Sequence, residues 1–161
     1  MRGVEQPAGF SEVAVGERAH HRVDARVLGD DVAGARGERL GISTLREAGE
    51  IDGLPKPLRS RARHVITENA RVDAMVEALR AGDLRAAARL LDEGHASLRD
   101  DYAASVPEVE ATVERLKAAG AAGARMVGGG FGGSVLALLP PGVAVPEGAL
   151  AVVAGPAARL L

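Results

Sequence analysis

The 161-residue chain contains no cysteine and no tryptophan. Without cysteine, disulfides and cysteine-ligated metal are excluded, and a reducing cytoplasm is compatible with the composition. Aromatic residues are confined to Phe10, Tyr102 and Phe131. A core must therefore come from Val, Leu, Ile and Ala, which bury less area per residue than aromatics do. Hydrophobic residues make up 47% of the chain, which is enough for such a core. Neither charge sign predominates. A net charge of -2 gives no case for nucleic acid or an anionic membrane as partner. No apolar run reaches membrane-spanning length, and the first twenty residues lack the apolar centre of a signal peptide. The length fits one domain or a fragment of a larger protein.

What the chain does have is glycine, 21 in all, packed most densely in one place. Residues 128–133 read GGGFGG, with Phe131 as the only interruption, and the apolar run VLALL follows from Val135 to Leu139. Glycine loses more backbone freedom on folding than any other residue, so five in six positions would weaken a helix or strand. Such a cluster serves where the backbone must take φ > 0 or approach something closely, either a phosphate held by exposed N–H groups or another stretch of backbone. Plain hairpin loops and linkers use the same composition. The stretch is not a Walker A loop, because no Lys-Ser or Lys-Thr follows. It is not the dinucleotide fingerprint either, because no strand–helix unit with a later acidic residue surrounds it.

Upstream, the pattern divides the chain. Residues 1–36 carry scattered glycines and short mixed-charge pieces, and read as a poorly ordered N-terminal arm. Weak strands are expected within it at 10–15 and 23–28. Residues 37–161 form the expected domain. Leu40, Ile42 and Leu45 open a short helical turn, and 52–57 is a loop. Val65, Ile66, Val72, Met75, Val76 and Leu79 then recur at helical spacing and predict a helix over 58–81. Gly82 ends that helix, and Asp83 caps a second one that stops near Gly94. Ser105-Val106-Pro107-Glu108 reads as a capping box for a third helix, ended by Gly120. Strands are expected at 124–127, 135–139 and 150–154. The fold class is α+β, with helices packed on a small antiparallel sheet.

Side chains with chemical potential are few. His64 lies at helical spacing from Glu68 with Arg61 and Arg63 before it. It could be a general base, although a solvated or capping role fits better. His95 stands near Asp92, Glu93, Asp100 and Asp101, but without recognised metal-ligand spacing. His20 and His21 fall in the arm. The successive Asp100 and Asp101 would point different ways, which makes them a poor acid/base pair. Tyr102 is expected to pack, and Ser134 has no histidine at an activating spacing. No metal site and no catalytic residue is assigned.

Three stretches together resemble the C-terminal part of galactokinases, in the GHMP small-molecule kinase superfamily. They are RARHVITENARV at 61–72, GHASLRDDYAASVPEVE at 94–110 and GARMVGGGFGGSVLAL at 123–138. The third resembles that superfamily's glycine-rich third motif. The resemblance implies the ferredoxin-like C-terminal lobe of an ATP-dependent kinase that converts galactose to galactose 1-phosphate in the cytoplasm. It implies ATP and Mg2+ as cofactors. It also implies that Gly128, Gly129, Gly130, Phe131, Gly132 and Gly133 support the ATP phosphates, with Arg125 as a neighbour. The sugar-recognition motif, catalytic aspartate and Ser-rich ATP loop of the family's N-terminal lobe are absent. The chain alone is therefore expected to be inactive, with either a separate N-terminal lobe or self-association as its partnership. A non-catalytic binding module is the alternative. Val127, Ser134, Ala103 and Val106 replace the threonine, cysteine, glutamate and cysteine usual in the family. One family helix after Leu139 is missing, and the match fades before about residue 36. The lobe thus looks incomplete at both ends, as after a truncated or frameshifted gene start.

Overall fold

The structure, a computed structural model, describes residues 12–15 and 51–152. Its elements are β1 (Glu12–Val15), α1 (Lys56–Ala81), α2 (Leu84–Asp100), α3 (Pro107–Ala118), β2 (Gly123–Val127), β3 (Ser134–Leu139) and β4 (Leu150–Val152). The strands form one antiparallel sheet in the order β2-β3-β1-β4. The strand expected at 10–15 is present over Glu12–Val15. It is inserted between β3 and β4, with Ala14 opposite both Ala137 and Ala151. The segment before residue 37 thus contributes a strand to the domain. Ladder pairing to two neighbours supplies what this short, weakly patterned sequence could not show by itself. The rest of the expected arm, the helical turn at 40–45 and residues 153–161 lie outside the described residues.

The helix boundaries follow from local chemistry. α1 begins two residues before the expected Leu58, because Pro57 falls in the first turn, where a missing N–H leaves no bond unmade. Gly82 ends it at φ 67°, and the Asp83 amide bonds back to the Ala78 carbonyl at 2.8 Å. The Asp83 side chain then accepts the Ala86 amide at 2.9 Å and caps α2. Two expectations fail. α2 does not stop at Gly94 but continues to Asp100. Gly94 is instead a point of close approach, since a Cβ there would lie 2.7 Å from Arg125 Nη1. The capping box does not form either: Val106 is the extended N-cap residue of α3, and no side chain caps that helix. Pro107 forces the residue before it out of the helical region, so the helix starts one residue too late for Ser105 to serve. The Ser105 hydroxyl donates to Glu110 instead.

Two layers result. Alternate residues of β2 and β3, namely Ala124, Met126, Val135, Ala137 and Leu139, are buried against Val109 and Leu116 of α3. Leu98, Tyr102, Val106 and Val113 pack around this core. β3 and β4 are both antiparallel to β1, and the 140–149 connection between them is not helical. Its Val143, Val145 and Ala149 pack on the same core.

The α2 helix lies along the free edge of β2. Asp92 Oδ1 accepts the Ala124 amide at 2.9 Å, and His95 Nδ1 accepts the Met126 amide at 3.3 Å. One turn of helix thus closes an edge that would otherwise present unpaired N–H groups. The approach is tight: a Cβ on Gly123 would lie 2.2 Å from the Ala88 carbonyl oxygen. Replacing Gly123 with alanine must push α2 off the strand. Urea unfolding should show Gly123→Ala destabilised by about 1–3 kcal/mol, the usual cost of overpacking. Alanine at the open, ordinary-φ position Gly53 should have no comparable effect.

Candidate functional site

The glycine stretch is the loop of the β2–β3 hairpin. Val127 and Ser134 are the last paired residues, and 128–133 turn between them. Gly128, Gly130, Gly132 and Gly133 all have positive φ, and so does Phe131 at 53°. One side of the loop is fixed. The Phe131 amide donates to the Ala104 carbonyl at 2.7 Å, and a Cβ on Gly130 would stand 3.1 Å from the Ala104 Cβ. The other side is open. Gly128 and Gly129 are exposed, and a Cβ on either would meet nothing within 4 Å. Gly129 does not have positive φ, so neither backbone conformation nor packing among the described residues calls for glycine there.

The turn that receives the loop is itself unusual. Ala103, a non-glycine residue, takes φ 57° just after α2, and the Ala104 amide bonds to the Leu98 carbonyl at 2.9 Å. Beneath it lies His64, which is buried and not solvated as its charged surroundings suggested. Its Nδ1 is 2.9 Å from Ser97 Oγ, and its ring lies 4.8 Å from that of Tyr102 at a 40° tilt. Ser97 Oγ donates to Asp101 Oδ2 at 3.2 Å, and Arg63 holds Asp101 Oδ1 at 3.1 Å. Tyr102 therefore packs, as expected. Asp100 and Asp101 do diverge, because Asp100 pairs with Arg99 at 2.7 Å.

Glu68 forms the other polar centre. It binds Arg125 at 2.5 Å and Arg71 at 2.8 Å, joining α1 to β2. Burial would raise its pKa, but the hydrogen bonds from Arg125 and Arg71 outweigh burial and hold it below the ordinary 4.5. Arg125, a neighbour of the glycines in sequence, is thereby turned toward α1. Beside this pair lies a groove of about 260 Å³, with Arg71, Val72, Met75, Leu90 and Leu91 among its lining residues. None of the loop glycines lines it.

His95 does not belong to a ligand cluster. Its Nδ1 accepts from Met126, and its Nε2 sits 3.1 Å from Glu110 Oε1, too poorly aligned for a hydrogen bond. Asp92 is committed to Ala124 and to Lys117 at 2.6 Å. Among the described residues no group of three His, Asp or Glu side chains is arranged to hold a metal. Ser134 merely opens β3. His20 and His21 lie outside the described residues. The Ala103–Ala104 turn and the Ser97 hydroxyl went unread in the sequence. The one local signal for them was a serine and an aspartate four residues apart at the end of a helix.

Burial lowers the His64 pKa below its ordinary 6.5. The Glu68 carboxylate opposes this, the Arg71 and Arg125 charges add to it, and Asp101 opposes it more weakly. The folded state thus prefers neutral imidazole. The unfolded state takes up the proton first as pH falls, so this contribution is complete above about pH 6.5 and is lost as pH drops toward the folded pKa. The Glu68 contribution is retained until pH falls below about 4.5. Urea midpoints should decline from pH 7 to pH 5, and His64→Phe should flatten that decline. An unchanged slope in the variant would assign it to other groups.

The fold and the loop agree with comparisons to known proteins. Residues 75–154 match the family model described as GHMP kinases C terminal. A galactokinase of Streptomyces coelicolor is 42% identical over 135 residues, covering 73% of this chain and 35% of that protein. One from Roseiflexus sp. is 44% identical over 106 residues, covering 62% of this chain and 27% of that protein. Among solved structures, Lactococcus lactis galactokinase complexed with galactose superposes with a TM-score of 0.67 at 30% identity, over 84% of this chain and 38% of that one. The chain thus spans about a third of the length of the relatives it matches. Three helices on an antiparallel sheet, the glycine hairpin and these similarities together make the chain a member of the GHMP kinase C-terminal family, with galactokinases as its relatives.

Proposed function

We propose that this chain is the C-terminal lobe of a galactokinase-type kinase and supports the triphosphate end of ATP through the exposed edge of its glycine loop. The observation that carries the reading is the asymmetry of that loop. Phe131 and Gly130 are committed to Ala104, while Gly128 and Gly129 face outward with free space where side chains would be. Backbone N–H groups in such a turn suit an anion and not a cation. Phosphates fit this donor set, and Mg2+ would be held by the phosphates and by groups outside the described residues. ATP, once bound, would supply the phosphoryl group, and Mg2+ would offset charge on its oxygens. This chain would contribute a fixed, close-fitting backbone; no proton-transferring residue is assigned to it. Galactose as the acceptor, the cytoplasm as the compartment and inactivity of the chain alone belong to the same proposal. Phosphoryl transfer needs phosphates, metal and nucleophile positioned together, and one glycine loop does not do that.

A second reading, a non-catalytic module that binds another protein or itself, is favoured by one observation. Val72, Val76 and Leu79 are 60%, 40% and 53% exposed along one side of α1. Light scattering separates the two, since a strictly monomeric chain at high concentration speaks against a self-associating face.

The kinase reading is tested by complementation. The pure chain should show no ATP-dependent phosphorylation of galactose. Addition of the separately produced N-terminal two-thirds of the Streptomyces coelicolor galactokinase should create it. Gly129→Ala should leave the urea midpoint of the chain unchanged yet reduce the reconstituted rate by about ten- to a hundredfold, as expected when reacting groups are slightly misplaced. A clear rate from the pure chain, or full activity in the Gly129→Ala mixture, would sink this reading.

A further inference from the structure

We propose that His64 is a positioning residue for the glycine loop, acting through Ser97, Asp101 and Tyr102 on the turn that holds Phe131. The path begins in α1. The single hydroxyl proton of Ser97 is directed to Asp101 Oδ2, so the 2.9 Å contact with His64 requires the imidazole to donate from Nδ1. The His64 tautomer is thereby set by its partners. Arg63 restrains the far oxygen of Asp101 from the preceding position of α1. The Ser97 carbonyl receives both the Asp101 and the Tyr102 amides at 3.0 Å, and the Tyr102 ring lies against His64. Two residues later the Ala104 carbonyl receives the Phe131 amide.

The two sides of that last contact share a property. Ala103 and Phe131 are the non-glycine residues with positive φ among those described, at 57° and 53°. Left-handed backbone is unfavourable for L-residues with a Cβ, and it persists only where surrounding structure over-determines it. Here two such residues flank one hydrogen bond. Cohesion alone does not call for a polar chain running from buried His64 and Ser97 to half-buried Asp101, because apolar residues of similar volume would hold α1 to α2 at least as well. What the polar chain adds is direction: it fixes the end of α2 and the sense in which the chain leaves it. The functional meaning of this role rests on the phosphate-loop reading above, whereas its geometry does not.

The experiment is amide hydrogen exchange on the full chain without nucleotide. His64→Phe keeps a ring against Tyr102 but removes the donor to Ser97. It should speed exchange of the Phe131 amide by about tenfold, the factor expected for loss of one buried hydrogen bond. The core amides of Leu91 and Ala137 should hold their protection. His64→Asn carries a side-chain N–H close to the position of Nδ1 and should restore slow exchange at Phe131. Ser97→Ala breaks the chain without touching the ring and should reproduce the His64→Phe result, which guards against a His64 variant that folds poorly. Unchanged exchange at Phe131 in Ser97→Ala, equal acceleration at all three amides, or no rescue by asparagine would each overturn the proposal. Nucleotide plays no part in this readout. Failure here leaves the kinase reading standing, and failure of reconstituted activity leaves this one standing.

Discussion

The rest of the domain depends on how α2 is fastened to the edge of β2. Three contacts one helical turn apart do this: the Ala88 carbonyl over Gly123, Asp92 on the Ala124 amide and His95 on the Met126 amide. The last two satisfy edge N–H groups that a helix cannot ordinarily reach, since its own backbone is already paired. The first is possible only because Gly123 lacks a Cβ. Together they set both the distance and the register of helix against strand. The outer face of α2 then receives α1, and its C-terminal end delivers the Ala103–Ala104 turn to the glycine loop.

The junction between α1 and the sheet is ionic. Glu68 of α1 reaches Arg125 of β2 past Gly94 of α2, where a side chain would obstruct the guanidinium. The opposing effects on Glu68 show what kind of contact this is. Burial disfavours its charge, yet two guanidinium groups more than restore it, so the carboxylate stays ionised well into the acid range. The same two arginines disfavour a charged His64 nearby. The two cations thus keep the Glu68 carboxylate charged, while burial, to which they add against the Glu68 charge, keeps the His64 imidazole neutral on the same helix. Glu68 can hold Arg125 while His64 remains a directed neutral donor toward Ser97.

This arrangement explains which parts of the structure were legible in the sequence. Helices α1 and α3 and strands β2 and β3 follow from periodicity, glycine stops and an apolar run, all of which are local. Pro107 lies within the local range too, but its effect on Val106 outranks the capping box that the same four residues spell. The misread positions are those whose role is fixed by something distant in sequence. Gly94 looks like a helix stop, and only Arg125, from a strand formed later in the chain, makes it a point of close approach. His95 among acidic residues resembles a loose metal set until a strand edge is placed beside it. His64 stands among arginines and looks solvated, because nothing nearby in sequence announces Ser97 and Tyr102. Glu12–Val15 is too short for its pattern to rank it above other weak strands, and two ladder partners decide its place. The glycine loop itself was legible as a motif, but its division into a fixed and an open half was not.

That division bears most on function. A hairpin loop needing only to reverse the chain could use two glycines at left-handed positions and polar residues elsewhere. Here Phe131 takes a left-handed conformation without being glycine, and its amide is spent on Ala104. Gly129 is glycine with neither a conformational nor a packing reason among the described residues. The first departure is a cost accepted to anchor the loop, and the second is space left free beside the anchor. A backbone held on one side and without side chains on the other suits close contact with something outside the described residues. On the proposed reading, a phosphate group needs little more from such a surface than N–H donors held in place, and the Phe131–Ala104 and Ala104–Leu98 hydrogen bonds tie the loop to the end of α2.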